Sequence, residues 1–384
     1  MKARQLLNLI PQETWDRLSL ETHVDHKAKK LEGRIVFNLL LYSLLNVKEN
    51  SLRVMERTFN SYLFQQLQPQ SGSPNIRHSS IGERLQNINA EFFEKLYQDC
   101  LSQYAKQVNE RDDKILRFDS TMVSISAKLI DIGFICGGGH DNSRQLKFTM
   151  GFSDVPEYAS FHHDSAFNSE NVALKHAILG CKSTKDKIVL FDRGVQARDT
   201  YDELTEKGIL FITRVNPNPR CKQETENIIL TPIESEDLVI DEDSKKKLIN
   251  RNEKITRYSY RYIHVVRNTG DQIAFLTNIE TISAEQVAAI YKRRWDIEVF
   301  FKFLKQELNF SHLLSRNENG IKVILYTTLI LSILLTAYKK LNKLSGYKIT
   351  KIAFALDLEE ELIKYLIHLN TENGESKKPF FDTT

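Results

Sequence analysis

The sequence contains no Cys-x-x-Cys pair. Its four cysteines, Cys100, Cys136, Cys181 and Cys221, are widely scattered. That spacing argues against a zinc site or a disulfide frame and for reduced core thiols of a cytosolic protein. Net charge is scarce too: 53 Lys and Arg against 50 Asp and Glu leave +3. This balance proves no nucleic-acid partner, so local patches must carry any such argument. There is no internal repeat and no low-complexity segment. The start, "MKARQLLNLIPQETW", lacks the apolar run and small-residue cleavage site of a signal peptide. The most apolar stretch, "VILYTTLILSILLTAY" at 323–338, falls short of the roughly 18 residues a membrane span needs, and it contains three Thr and a Ser. It reads as a buried core helix, and no membrane partner is expected. What is present, 41% hydrophobic and 27% charged residues, fits a soluble globular protein of one large or two to three ordinary domains.

Residues 1–108 read as a helical N-terminal domain. "RIVFNLLLYSLLNV" is too long and unpunctuated for a strand, and "SLRVMERTFNSYLFQQL" has helical apolar spacing. After the breaker "QPQSGSPN", Ser80 and Glu83 stand at capping-box spacing and predict a helix start. Arg77, His78, Ser79 and Arg84 cluster at that end. Basic residues and hydroxyls there suit phosphate contact, so Arg77 and Arg84 are candidate DNA-binding residues in a helix-turn-helix-like unit. A plain helical domain with solvated charges fits equally.

The pattern changes near residue 112. "KILRFDSTMVSIS", "RQLKFTMGFS" and "EYASFHHDSAF" read as strands, the first two joined through the glycine-rich "CGGGH". A helix opens at Asn168 or Ser169. "KIVLFDRG" has the look of a parallel strand buried on both faces. A helix stopped by Gly208 and the strand "ILFITRV" follow. This order predicts an α/β fold with a mixed sheet flanked by helices over 109–215. Residues 216–270 read as a β-rich insertion, ending in an "NTGD" hairpin turn. Within it Tyr258, Tyr260, Tyr262 and His264 alternate with Arg257, Ser259 and Arg261. That strand face either touches nucleic acid or is half-buried. The sheet resumes over 271–345, and 346–384 form a helical segment and tail.

The stretch "YKRRWDIEVFFKFLKQEL", 291–308, reads as one helix, entered through a capping box at Ser283 and Gln286. At roughly 100° per residue, Arg294, Glu298 and Lys305 fall about −60°, −20° and −40° from Tyr291. This narrow polar stripe is flanked by apolar surface on both sides. Salt bridges along a solvated face would give the same spacing. Trp295 borders the stripe, and core packing is expected for it.

Asp119, in "LRFDSTM", and Asp192, ending "IVLF", each sit in or just after a buried apolar strand. That is costly unless the charge is satisfied. A turn, a cap or an arginine pair would satisfy each acid alone. Converging with Glu298, with few His or Cys nearby, the acids favour a hard cation such as Mg²⁺ or Mn²⁺. Two such ions would support phosphoryl transfer.

Tyr291, Arg294, Glu298 and Lys305 have the spacing of the Tyr-Arg-Glu-Lys signature, and here the sequence resembles DDE transposases of the insertion sequence 4 family. "FDST" at Asp119 and "FDRG" at Asp192 resemble that family's first two acidic motifs. Val195 departs from it, standing where an aromatic is frequent. The resemblance covers nearly the whole chain. It implies an RNase H-like catalytic core with a helical N-terminal domain and a β-rich insertion. It implies that Asp119, Asp192 and Glu298 are catalytic and hold two Mg²⁺ or Mn²⁺ ions, and that Tyr291, Arg294 and Lys305 grip phosphates. The implied partners are double-stranded DNA, both inverted-repeat ends and target, and a second copy in a homodimer on paired ends. The implied activity is cut-and-paste transposition through a hairpin, in a bacterial cytoplasm at the nucleoid. Two rivals remain: a catalytically silent transposase-derived DNA-binding protein, and a metal-dependent nuclease without strand transfer.

Overall fold

The structure, a computed structural model, describes residues 2–46, 50–67, 75–108, 114–125, 134–135, 144–229, 231–234, 238–250, 252–310, 314–315 and 317–371. The "CGGGH" connection with Cys136, most of the "QPQSGSPN" breaker and residues 372–384 lie outside these. The chain forms two compact units. The first comprises Met1–Glu110, Val123–Gln145 and Phe301–Thr384; the second comprises Arg111–Met122 and Leu146–Phe300.

The first unit begins with α1 (Ala3–Leu7), α2 (Gln12–Thr22), α3 (Gly33–Asn46), α4 (Leu52–Phe59), α5 (Tyr62–Leu67), α6 (His78–Asn87) and α7 (Ala90–Val108). The predicted capping box at Ser80 does not form. Arg77 is the N-cap of α6, without a side-chain cap. The Glu56 carboxylate on α4 accepts from the His78 backbone N–H at 2.7 Å and pairs with His78 Nδ1 at 2.8 Å. An acid from a neighbouring helix thus does the work of a cap, which favours the positive end of the helix dipole.

Next in chain order come β1 (Ile115–Ile125), β2 (Phe134–Ile135), β3 (Arg144–Phe152), β4 (Pro156–His162), α8 (Glu170–Gly180), β5 (Ile188–Phe191), α9 (Arg198–Glu206), β6 (Leu210–Val215), β7 (Cys221–Gln223), β8 (Ile233–Glu234), β9 (Leu238–Leu248), β10 (Tyr260–Arg267) and β11 (Gln272–Thr277); β2 belongs to the first unit and the others, apart from the ends of β1 and β3, to the second. Helices α10 (Ala284–Lys292) and α11 (Trp295–Glu307) follow; α11 crosses the unit boundary after Phe300. Chain order ends with α12 (Glu318–Leu341) and α13 (Tyr347–Thr371) in the first unit.

Helix α12 carries the apolar stretch and packs against α7, α6, α3 and α13. It is long and apolar enough to cross a membrane, but 94% of its most apolar window is buried within the fold. Its hydroxyls are accommodated locally. Thr327, Thr328 and Thr336 each donate to the carbonyl four residues back at 2.8 Å.

In the sheet, β3, β1, β5, β6, β11, β10, β9 and β7 lie in that order, with β4 on β3 and β8 on β9. Strands β1, β5 and β6 are parallel, and β11 turns antiparallel to β6. This is the mixed, helix-flanked RNase H-like arrangement. Period-two alternation sorts the side chains. Leu116, Phe118, Val189, Phe191 and Phe211 pack on one face with Leu174 and Ala177 of α8 and Leu204 of α9. Ile115, Leu190 and Ile212 pack on the other with Val287, Ala288 and Tyr291 of α10. Val195, the departure from the family pattern, is fully buried in the first cluster.

Residues 216–270 do not stand apart. β9 and β10 extend the same sheet through β11. Tyr260 and Tyr262 are buried in the core, at 0% and 1% exposure, so their face packs protein. The predicted turn forms, with Gly270 at φ 86°.

Candidate active site

Strands β1 and β5 pair in register Ile115↔Ile188, Leu116↔Val189, Arg117↔Leu190. Continuing it two residues brings Asp119 level with Asp192. By alternation both acids belong to the face shared by Ile115 and Leu190, where α10 packs. That helix starts as predicted, with a capping box between Ser283 and Gln286.

The single helix expected over 291–308 is interrupted. α10 ends at Lys292 and α11 begins at Trp295. Across the break the bonds shorten to i→i+3: Arg294 N–H to Tyr291 O at 2.9 Å, Asp296 N–H to Arg293 O at 3.2 Å. A residue that sequence reasoning missed holds this turn. Arg117 of β1 is buried, at 0% exposure. Its Nε donates to Arg293 O at 2.6 Å, its Nη1 donates to Ser153 O at 2.9 Å, and its Nη2 lies 2.9 Å from Asp296 Oδ2. It ties the turn to the strand that carries Asp119. The only hint in the sequence is a charge inside the apolar run "ILRFD".

Three of the four signature residues meet the acids. The Tyr291 hydroxyl donates to Asp192 Oδ1 at 3.2 Å. Burial, then the charge of Asp192, pushes the Tyr291 phenol up, so it stays protonated and donating. Arg294 bonds the Glu298 carboxylate through Nη2, and its Nη1 lies 3.8 Å from Asp119 Oδ2. Burial opposes the guanidinium's charge. Glu298, Tyr291 and Asp192 outweigh burial and raise its pKa. Lys305 lies half-buried on α11, seven residues beyond Glu298 and past the unit boundary.

Asp119 has its carboxyl pushed up to about 6, first by burial and then by Glu170 and Glu298. The Ser120 backbone N–H, donating at 2.8 Å, and Arg294 pull it back only partly. Burial and the neighbouring acids thus hold the proton on Asp119 to a higher pH than an ordinary carboxyl keeps it.

The donor set is all oxygen, which suits a hard divalent cation. Among the described residues, no three His, Cys, Asp or Glu side chains gather tightly enough to hold one ion. The positive charge among Asp119, Asp192 and Glu298 is that of Arg294.

Beside the acids lies a cleft of about 630 Å³ lined by Arg214, Arg267, Lys292 and Arg294 together with Ile273 and Phe275. Trp295 also lines it and is 61% exposed, which overturns the expectation of core packing. In the first unit, Arg77 is exposed. Arg84 donates to Leu31 O at 2.7 Å and Val24 O at 2.6 Å, which ties α6 to the loop between α2 and α3.

A profile of the family described as "Transposase DDE domain" matches residues 110–334. The chain belongs to this family. It is similar to a protein of Sinorhizobium fredii named as a transposase, 26% identical over 58% of this chain and 62% of the relative. It is also similar to proteins named as transposases for insertion sequence elements. That of IS4SA from Synechocystis is 24% identical over 66% of this chain and 72% of the relative. That of IS5377 from Geobacillus stearothermophilus is 23% identical over 74% of each chain. The chain spans less than two thirds of the first relative. These matches accord with the insertion sequence 4 resemblance carried by the Tyr-Arg-Glu-Lys spacing.

Proposed function

We propose that this transposase-family chain cleaves DNA at the ends of an insertion sequence and joins those ends to target DNA. The observation that carries the reading is the pairing of Asp119 and Asp192, level on adjacent parallel strands and facing Tyr291, Arg294 and Glu298. Asp119, Asp192 and Glu298 are the residues that would hold divalent ions, Mg²⁺ or Mn²⁺, and two such ions would supply activation of a water or a 3′-hydroxyl and stabilisation of the leaving oxygen.

The chain's own groups bind and orient. Tyr291 donates a hydrogen bond and Arg294 offers a planar fork to phosphate oxygens. Lys305, on α11, supplies a point charge. Arg214, Arg267 and Lys292 of the adjoining cleft extend the positive surface for a DNA backbone. Exposed Arg77 at the start of α6 contacts DNA in the first unit. A freed 3′-hydroxyl, held in line, attacks a phosphodiester of the opposite strand and displaces the 3′-oxygen of the flanking DNA to form a hairpin, which water reopens to the 3′-hydroxyl before strand transfer. Two copies on paired inverted-repeat ends complete the assembly, which acts at the bacterial nucleoid.

Labelled terminal DNA tests this reading. Asp119→Asn, Asp192→Asn and Glu298→Gln should each abolish divalent-cation-dependent nicking while folding and end binding persist. A variant that still cuts at near wild-type rate removes its residue from the site. A wild-type protein that nicks but forms neither hairpin nor strand-transfer product is a nuclease instead.

A further inference from the structure

Helix α6 is held on three sides. Ile81 and Leu85 are buried, with Ile88 at the C-cap. His78 and Gly82, one turn apart, meet α4. The Glu56 carboxylate takes the His78 backbone N–H, and a Cβ at Gly82 would lie 3.1 Å from Leu52 Cδ1. On the third side Arg84 bonds the loop between α2 and α3. The segment entering α6 is pinned too. The Asn60 amide at the end of α4 donates to Ile76 O and accepts from Ile76 N–H, both at 3.0 Å, and Lys30 Nζ donates to Asn75 O at 3.0 Å.

One stripe remains. Ser79, Ser80, Glu83, Gln86 and Asn87 fall within about 120° on the helical wheel, and all are exposed. All five can hydrogen-bond, and the stripe's one charge is an acid. Cations stand to either side of it. Arg53 and Arg57 on α4 follow Leu52 and Glu56, the residues that meet α6, and Lys27 and Lys29 lie in the loop that Arg84 holds; all four are exposed.

We infer that α6 reads base edges of the terminal inverted repeat through Glu83 and Gln86, while Arg53, Arg57, Lys27 and Lys29 hold the two bordering phosphate strands. The inference rests on the reading that the chain binds insertion-sequence ends. The major groove of a duplex admits one helix, and its borders are rows of phosphates. Cations on both sides of a polar stripe match that arrangement. Phosphate contacts position a protein on DNA without reading sequence. Glu83 repels phosphates, so at the centre of such a surface it gains only by accepting from a cytosine amino group, and Gln86 matches an adenine edge. The pins on α6 fix both side chains at one depth. The helix N-terminus is not the contact, because Glu56 occupies it.

The test titrates the full-length protein with two labelled duplexes, the terminal repeat and a scrambled duplex of the same composition, over a salt series. Glu83→Ala and Gln86→Ala should each lower the preference for the repeat about tenfold and leave the salt slope unchanged. Glu83→Ala should bind the scrambled duplex at least as tightly as wild type does. Arg53→Ala and Lys27→Ala should weaken both duplexes alike and each flatten the log–log slope by about 0.9. If wild type prefers the repeat and both stripe variants keep that preference, the inference fails and the functional reading stands. If wild type nicks the repeat yet binds both duplexes alike, this inference alone fails. If wild type neither prefers nor nicks the repeat, the functional reading fails and this inference with it.

Discussion

Asp119 shows how a largely buried acid burdens its fold. Its carboxyl ionises near 6 in the folded chain against an ordinary 3.8. Between these values the folded state holds a proton that the unfolded state releases. The stabilisation is present below about pH 4 and is lost as pH rises through about 6. At neutral pH the charge is a net cost, so Asp119→Asn should stabilise by roughly 1–3 kcal/mol at pH 7.5, with the gain vanishing by pH 4. Urea unfolding of both proteins across that range checks it. Arg117 is the converse. Arg117→Leu removes the hydrogen bonds to Arg293 O and Ser153 O and the contact with Asp296, and should cost about 3 kcal/mol. It should also lower end cleavage beyond the loss of folded protein, because the turn bearing Arg294 comes loose from β1.

At the scale of elements, the break between α10 and α11 decides what the signature does. It leaves Tyr291 against Asp192 and sets Arg294 between Asp119 and Glu298. If the stripe made only surface ion pairs, replacing Arg294 or Lys305 would cost at most about 0.5 kcal/mol and spare activity. As phosphate contacts, Arg294→Ala and Lys305→Ala should each flatten the log–log salt dependence of end binding by about 0.9. Both should also shift products away from hairpin and strand transfer. Gel shifts over a salt series and product analysis on labelled ends read both quantities. An unchanged slope with wild-type product ratios returns the stripe to surface chemistry.

At the scale of the molecule, residues 1–108 are not a self-sufficient body. The unit that contains them also takes in Phe301–Thr384, and α12 packs against α7, α6 and α3. A fragment of 1–108 exposes the apolar faces that α12 covers and should fail to unfold cooperatively by circular dichroism. Adding 301–371 through a linker should restore a cooperative transition. DNA binding by the first unit is therefore measured on that joined form or on the full chain.

Local patterns settled much of this protein before any contact was known. The alternation of Ile115, Leu116, Arg117 and Phe118, the short apolar run before Asp192 and the capping box at Ser283 are nearest-neighbour effects. They made the strand–helix order, the hairpin turn at Gly270 and the spacing from Tyr291 to Lys305 legible. The buried fate of α12 followed from its length and hydroxyls. Long-range contacts settled the rest. Arg117 bonds the turn at which a helix that local periodicity would continue is interrupted, and Trp295 just beyond it is exposed to solvent. Glu56 displaces Ser80 as the cap of α6, and distant carbonyls of Val24 and Leu31 claim Arg84. Each of these turns on a partner more than twenty residues away, whose distance in space no periodicity along the chain encodes.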